Sequence, residues 1–333
     1  MLCMSRLRWL GLLVLGLSGG GTAVGAVTEA PGVAGTALAG VATGAAGPAA
    51  AGATTAGPAA AGATTAGPAA ARATTTESAT AQPVKVFAAG SLTGAMTAVI
   101  HLYEEKTGEH VQAEFGPAGL LRERIENGEH PDIFASANMA HPQTLADKGL
   151  ATAPVVMARN RLCAKALPEF GLTTQNLLQR LLDPKVGLGT STPKADPGGD
   201  YAWELFARAE KVRPGARAIL EHKAQQLVGG KHNPPVPAGK DAMSFAFEQH
   251  KIDISLGYCS SRQTTPDPKF ASVELPPQLA VNADYGMSVL TAGGGSREAA
   301  LRFALFVMSA EAQHVIGLYG FTPVGERHAD PMQ

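Results

Sequence analysis

The order of apolar and polar residues changes from the pattern of a strand to that of a helix within residues 84–103. From Val84 to Ala88 the chain alternates and is rich in β-forming residues, which predicts a buried strand. From Leu92 to Tyr103 the apolar residues recur on one face of a helix. The junction is Ala-Ala-Gly-Ser, with Ser91 at the start of the predicted helix.

The same change of pattern recurs along the chain. Strand patterns span residues 111–115, 130–138 and 252–261, and another strand begins the stretch 186–210. Helical patterns occupy residues 120–128, the second half of 186–210, a segment from about 240–241, and residues 297–308 and 311–318. Strands that alternate with helices predict an α/β fold with parallel sheets and helices on both faces. Ligands of such sheets bind beyond the carboxyl ends of the strands.

Small residues fill the junctions at which these helices begin. They are Ala-Ala-Gly at 88–90, Gly-Pro-Ala-Gly at 116–119 and Pro-Gly-Gly at 197–199. Gly and Ala let a ligand approach the backbone, and a helix N-terminus offers unpaired N–H groups with partial positive charge. We therefore expect several helix starts to converge on an anion. At Ser91 two interpretations stay open: a hydroxyl donor to that anion, or a plain N-cap.

The first 82 residues do not have the composition of a folded domain. Residues 1–26 combine an arginine-bearing start, a short apolar run and a small-residue end at Ala26, which predicts a cleaved export signal. Residues 27–82 consist mostly of Ala, Gly, Thr and Pro, so we expect a disordered linker. The folding unit is then about residues 83–325, which is long enough for two lobes.

Charge and motifs narrow the function further. The formal net charge is -1, which argues against a nucleic-acid partner. Cys163 and Cys259 remain after export, and in an oxidising compartment they either form a disulfide or stay as buried thiols. Residues 83–325 contain no GxSxG, HExxH or CxxC motif, so we expect neither catalytic residues nor direct cation ligands.

Four segments, taken in order, resemble one known family. They are FAAGSLTGAM, FGPAGLLRERIENGEHPDIFASAN, TPKADPGGDYAWELF and YGF at 319–321. Together they resemble the periplasmic molybdate-binding proteins of ABC transporters, a branch of the type II solute-binding proteins. NRLCAKA and GYCSS look typical of a divergent branch. The resemblance implies a periplasmic binding protein type II fold, in which a hinge joins two α/β lobes and the ligand lies in the cleft between them.

The expected lobes follow from this organisation. The first comprises residues 84–158 plus 281–325, and the second comprises residues 159–280. The chain would cross between them near residues 158 and 281, and closure on the ligand would be a rotation about these crossings.

The resemblance also implies a set of ligand-binding residues. Ser91 corresponds to a family serine that binds through its hydroxyl and amide, and Tyr258 to a tyrosine whose hydroxyl faces the anion. Ala118 stands where the family has a second serine, so only its amide remains. Gly198 falls where a backbone amide binds, and Lys240 where an apolar residue donates its amide. The missing hydroxyl at Ala118 is expected to cost ~1–3 kcal/mol, which a charged bond from Lys240 would offset unless Lys240 is simply solvated.

The function that the resemblance implies is capture of molybdate or tungstate in the periplasm. A monomer without a cofactor would deliver the oxyanion to the inner-membrane permease of an ABC importer. The alternatives are a binding protein for sulfate, a carboxylate or a ferric complex, and a periplasmic enzyme or sensor module on the same fold. Because the expected site contains no His, we expect an affinity that is nearly constant across neutral pH.

Overall fold

The computed structural model describes residues 82–265 and 267–325, so the predicted export signal and nearly all of the predicted linker lie outside the described residues. The strands are β1 (Val84–Ala89), β2 (Val111–Gly116), β3 (Ile133–Ser136), β4 (Val155–Ala166), β5 (Leu188–Ser191), β6 (Ala224–Val228), β7 (Ile254–Tyr258), β8 (Ala271–Glu274) and β9 (Asn282–Val289). The helices are α1 (Thr93–Thr107), α2 (Ala118–Glu126), α3 (Ala140–Asp147), α4 (Leu177–Leu182), α5 (Pro197–Val212), α6 (Ala216–Lys223), α7 (Ala242–Glu248), α8 (Arg297–Val307) and α9 (Ala310–Leu318). None of these helices is both long and apolar enough to cross a membrane.

Most predicted elements are present, and the differences lie at their ends. Strands β3 and β7 are shorter than the predicted strands 130–138 and 252–261. After β3 the chain turns, because the Ser136 hydroxyl accepts a hydrogen bond from the Asn138 amide at 3.2 Å. The helix expected from about 240–241 begins at Ala242. Mixed α/β architecture is therefore confirmed.

One sheet runs through the described residues in the order β2-β1-β3-β9-β4-β7-β5-β6, with β8 also paired to β4. At one end β1 is parallel to β2 and β3, and at the other end β5 is parallel to β6 and β7. The long strands β4 and β9 are antiparallel to each other and join these two parallel groups. Because the strands within each group run in the same direction, their carboxyl ends lie along one edge.

Two large apolar cores lie on this sheet, beside a smaller cluster of Leu227, Ala246, Phe247 and Ile252. Strands β1, β2, β3 and β9 form the first with helices α1, α2, α8 and α9, and strands β5 and β7 form the second with α4, α5 and α6. Along β4 the packing changes from the first core at Ala158 to the second at Leu162. Before β9 it changes back between Val281 and Ala283. These positions coincide with the expected crossings, and the division into two moving lobes stays a prediction.

A disulfide joins Cys163 of β4 to Cys259, the residue after β7. The two strands are antiparallel neighbours, with Leu162 opposite Tyr258. The covalent bond therefore fixes the end of β7 that carries Tyr258 to the strand that belongs to both cores.

Candidate functional site

Ser91 lies in a short 3-10 turn, Gly90–Leu92, between β1 and α1. Ser91 lies inside this turn and is therefore not the N-cap residue of α1. Neither the turn nor α1 has a side-chain cap at its start. The Ser91 Oγ instead lies 2.9 Å from the hydroxyl oxygen of Tyr285 in β9. The N-cap interpretation of Ser91 is therefore wrong, and its hydroxyl belongs to a buried polar network.

Tyr285 connects Ser91 to the amide side chain of Asn160. The Asn160 Nδ2 donates to the Tyr285 hydroxyl at 3.3 Å and to Ser260 Oγ at 2.7 Å. The Asn160 Oδ1 accepts from the Arg161 amide at 2.9 Å, which agrees with Nδ2 facing Tyr285. Since an N–H can only donate, the Tyr285 oxygen accepts this bond, whereas either hydroxyl can be the donor in the contact between Tyr285 and Ser91. If Tyr285 donates in this contact, Ser91 keeps its hydroxyl hydrogen for a further acceptor.

Ala118 is the first residue of α2 and is only 1% exposed. Pro117 precedes it and provides no side-chain cap. The Ala118 amide has no hydrogen-bond acceptor within residues 82–265 and 267–325, whereas the Gly119 amide donates to the Ala195 carbonyl at 3.0 Å. Buried amides without an acceptor are rare in folded proteins. The start of α2 therefore offers a donor for a ligand.

The amide of Gly198 is already occupied. Asp196 is the N-cap of α5, and its Oδ1 accepts a hydrogen bond from the Gly198 amide at 2.9 Å. The assignment of this amide to a bound anion is therefore corrected, because a carboxyl group of the protein takes the place that an anion would take. Asp196 therefore acts as the N-cap of α5.

Lys240 is exposed, and both of its donor groups have partners in the protein. Its Nζ lies 2.9 Å from Glu248 Oε2, and its amide donates to the Pro237 carbonyl at 3.1 Å. The next residue, Asp241, caps α7 by accepting from the Ser244 amide at 2.9 Å. Lys240 is thus a solvated residue before a helix, and its assignment as a ligand donor is corrected.

The Tyr258 hydroxyl is a second buried donor at the carboxyl ends of the strands. The Tyr258 ring packs against the rings of Tyr201 and Tyr285, with centroid distances of 6.2 and 5.6 Å. Its hydroxyl oxygen is buried and has no hydrogen-bond partner in the described part of the chain. Burial raises the pKa of Tyr258 well above its usual value, so the hydroxyl keeps its hydrogen and can donate it.

Several contacts join the two predicted lobes around these donors. Besides the bond from Gly119 to Ala195, the Tyr201 hydroxyl donates to the Ala137 carbonyl at 3.1 Å, the Ser261 amide donates to the Tyr319 carbonyl at 2.9 Å, and Lys231 pairs with Glu123 at 2.5 Å. Gly94 is packed so closely that a Cβ atom there would lie 2.0 Å from the Arg262 carbonyl oxygen. The two predicted lobes are therefore in direct contact around these donors.

The arrangement is suited to holding an anion by hydrogen bonds. Within the described residues, no group of three or more His, Cys, Asp or Glu could hold a metal ion. The donors of this site that have no acceptor in the described part of the chain are neutral, the Ala118 amide and the Tyr258 hydroxyl, and the Ser91 hydroxyl joins them if Tyr285 is the donor in their contact. Neutral donors around a buried anion supply the hydrogen bonds that the anion loses when it leaves water.

Asn160 and Tyr285 belong to this site but do not stand out in the sequence. Asn160 is 2% exposed in a largely apolar strand, and a buried polar residue is an informative signal. Tyr285 follows Ala283 and Asp284 in β9 without any marker of its role. Their contact depends on the pairing of β4 with β9. This pairing joins residues that are far apart in the sequence: Asn160 and Tyr285 are 125 positions apart.

Comparison with known proteins agrees with this architecture. The profile of the family described as "Bacterial extracellular solute-binding protein" matches residues 84–322. The uncharacterized protein PM1146 of Pasteurella multocida is 38% identical over 217 residues, which are 63% of this chain and 88% of that protein. The molybdate-binding protein ModA of Escherichia coli is 27% identical over 190 residues, which are 50% of this chain and 73% of ModA.

A solved structure shows the same fold. The periplasmic molybdate-binding protein of Azotobacter vinelandii superposes with a TM-score of 0.58 at 15% identity, over 72% of this chain and 98% of that one. The periplasmic binding protein type II fold predicted from the sequence is thereby confirmed.

Proposed function

We propose that this chain, which belongs to the family of bacterial extracellular solute-binding proteins, captures a small oxyanion in the periplasm, with molybdate or tungstate as the first candidate. It would act as a monomer and deliver the anion to the permease of an ABC importer. Binding and lobe closure would complete its task, without a cofactor and without any covalent step. The name of ModA, a relative at 27% identity, supports molybdate as the ligand to test first.

The observation that carries this proposal is a pair of donors without acceptors among the described residues, the Ala118 amide and the Tyr258 hydroxyl, at the carboxyl ends of strands from the two parallel groups. In the parallel pair β1 and β2, Ala89 lies opposite Gly116, so the segments that lead to Ser91 and Ala118 leave the sheet side by side. The Ser91 hydroxyl contacts Tyr285, whose ring packs on that of Tyr258. A tetrahedral oxyanion between these groups could accept a hydrogen bond on several oxygens.

A second candidate is an anion that carries its own proton, such as hydrogen phosphate or a phosphate ester. The observation that favours it is the carboxyl group of Asp196, which already takes the Gly198 amide. A carboxylate in contact with the ligand would offer an acceptor that a fully ionised oxyanion cannot use. An O–H on the ligand would use it.

A thermal-shift panel of the exported protein tests both candidates. Binding of the native state raises stability by mass action, by about 2.7 kcal/mol at a ligand concentration of 100 Kd. Molybdate, tungstate, sulfate and phosphate should be compared, and the purified protein should be analysed for molybdenum and tungsten. A clear shift with molybdate or tungstate supports the first candidate, and a shift with phosphate alone supports the second. An unchanged melting temperature with every anion would contradict the proposal.

A further inference from the structure

Asn160 is a buried polar residue of β4, and all of its side-chain hydrogen-bonding groups have partners. Its Oδ1 accepts from the Arg161 amide at 2.9 Å and from the Ser260 amide at 3.4 Å. Its Nδ2 donates to Ser260 Oγ at 2.7 Å and to the Tyr285 hydroxyl at 3.3 Å. An amide side chain has two donor hydrogens and one oxygen with two lone pairs, so every group of Asn160 is used within the protein.

The two backbone amides fix the orientation of the Asn160 side chain. If its terminal amide were flipped, Nδ2 would face the amides of Arg161 and Ser260, which can only donate. Buried donors that face each other lose their hydrogen bonds, and such losses are costly away from water. Strand register then places Nδ2 beside Tyr285: Ala158 lies opposite Tyr285, and Asn160 is two residues further along β4 on the same face.

The Tyr285 hydroxyl, which accepts from Asn160, has to place its own hydrogen elsewhere. Tyr285 is fully buried, and burial raises the pKa of its hydroxyl, which therefore keeps this hydrogen. Within residues 82–265 and 267–325, its hydrogen-bond partners are Asn160 Nδ2 and Ser91 Oγ. The Tyr258 hydroxyl is not among them. If Ser91 were the donor, the Tyr285 hydrogen would be buried without an acceptor, which is rare in folded proteins.

We propose that Asn160 is a positioning residue for anion binding, because its donation to Tyr285 makes Tyr285 donate to Ser91 and leaves the Ser91 hydrogen for the anion. The resulting relay runs from Asn160 through Tyr285 to Ser91. The inference rests on the function proposed above, since it requires an anion beside Ser91. Because the relay orients the Ser91 hydroxyl before the anion arrives, binding needs no reorientation of this donor.

The decisive variant is Asn160→Asp, which keeps the shape of the side chain and replaces its donor by an acceptor. The new oxygen would take the Tyr285 hydrogen, so Ser91 would have to donate to Tyr285 and would turn a lone pair toward the anion. Titration calorimetry of the exported protein with molybdate, or with whichever of tungstate, sulfate and phosphate gives the larger thermal shift, measures the result. The Kd should rise by more than about tenfold, and by more than in Ser91→Ala.

A double-mutant cycle with Tyr285→Phe separates the relay from the added negative charge. The Asp carboxylate repels the anion in either background, but it can act on Ser91 only while the Tyr285 hydroxyl is present. The rise in Kd caused by Asn160→Asp should therefore be about tenfold smaller in the Tyr285→Phe background. The Ser91→Ala background should show the same reduction, because the relay ends at that residue. Denaturant titration of each variant checks that every Kd belongs to folded protein.

Neutron diffraction decides the same question on the wild-type protein if Asn160→Asp fails to fold. Crystals exchanged into deuterium oxide and soaked with the same anion show where each hydroxyl deuterium lies. A Tyr285 deuterium between the Tyr285 oxygen and Ser91 Oγ supports the relay. A Ser91 deuterium directed at Tyr285 overturns it.

The outcomes distinguish this inference from the proposed function. If Asn160→Asp raises the Kd by the same factor in the wild-type and Tyr285→Phe backgrounds, charge alone explains the effect, and the relay is overturned while oxyanion capture stands. The same holds if Asn160→Asp leaves the Kd unchanged. A wild-type protein that binds none of the four anions overturns both the relay and the proposed function.

Discussion

The helix starts at the candidate site are of two kinds. The 3-10 turn with Ser91 and the start of α2 at Ala118 have no side-chain cap. The starts of α5 and α7 are closed by carboxyl groups, from Asp196 to the Gly198 amide and from Asp241 to the Ser244 amide. The sequence presents all of these junctions as similar small or polar turns, but only the first kind leaves backbone donors for a ligand.

A helix N-terminus is available to a bound anion only where the protein does not supply an acceptor itself. Every helix begins with N–H groups that need acceptors, and Asp is among the best residues to provide one. At α5 and α7 the chain has used this solution. The uncapped starts, in contrast, belong to segments that enter the first core, where Ala118 is almost completely buried. We therefore expect the first predicted lobe to supply the backbone donors, and the second to supply the Tyr258 hydroxyl.

The largest effect, on stability, should come from removing the disulfide between Cys163 and Cys259, which fixes the end of β7 to β4. The disulfide closes a segment of 96 residues by sequence separation. The variant Cys163→Ala/Cys259→Ala should lose roughly 4–5 kcal/mol of unfolding free energy, since the unfolded chain is no longer constrained. Denaturant titration measures the loss, and reduced wild-type protein is the control, because it should unfold at nearly the same denaturant concentration. A midpoint equal to that of the oxidised wild type would contradict this prediction.

A smaller effect, on anion affinity, should follow from separating α2 from the loop before α5. At Gly119, the second residue of α2, a Cβ atom would lie 2.2 Å from the Lys194 carbonyl oxygen and 2.8 Å from that of Ala195. Gly119→Ala should therefore prevent tight contact between α2 and the loop before α5, and the affinity for the anion should fall by up to about a hundredfold, which corresponds to the 1–3 kcal/mol typical of overpacking.

The control for Gly119→Ala is Gly116→Ala, three residues earlier. A Cβ atom at Gly116 would meet only the Leu121 side chain, at 3.6 Å, which is an ordinary contact. Calorimetric titration of both variants with the anion that the panel identifies measures the difference. Equal affinities would show that contact between α2 and the α5 loop is not needed for binding.

The sequence predicts the fold better than the site, for a physical reason. Periodicity reports which face of an element is buried, and it predicts β1, α1, β2 and α5 with errors of a few residues. It does not report which acceptor an amide finds: Asp before Pro at 196–197 is a common N-cap pattern, but the pattern alone does not show whether the Gly198 amide bonds to Asp196 or to a ligand. The role of Tyr285 depends on contacts across β4 and β9. The hydrogen bonds of the site depend on tertiary contacts, which the local sequence pattern does not predict.

The smallest effect, on anion affinity, should come from removing the Ser91 hydroxyl, the side-chain group beside the uncapped helix starts. Ser91→Ala should weaken anion binding about tenfold, because a hydrogen bond to a charged ligand contributes at least ~1.5 kcal/mol. The matched variant is Tyr285→Phe, which leaves Ser91 in place and removes its hydroxyl partner at 2.9 Å. If Asn160 donates to Tyr285 and Tyr285 donates to Ser91, Tyr285→Phe should weaken binding by less than Ser91→Ala, since Ser91 loses orientation but keeps its hydrogen.

The opposite direction of this hydrogen-bond chain gives the opposite result for the second variant. If Ser91 donated its hydrogen to Tyr285, the hydroxyl would have none to offer the anion while Tyr285 is present. Ser91→Ala would then leave the Kd unchanged, and Tyr285→Phe would lower the Kd by releasing the Ser91 hydrogen. Titration calorimetry of the two variants beside the wild type therefore decides the direction of donation. It also decides whether the anion is bound by the Ser91 side chain as well as by the Ala118 amide.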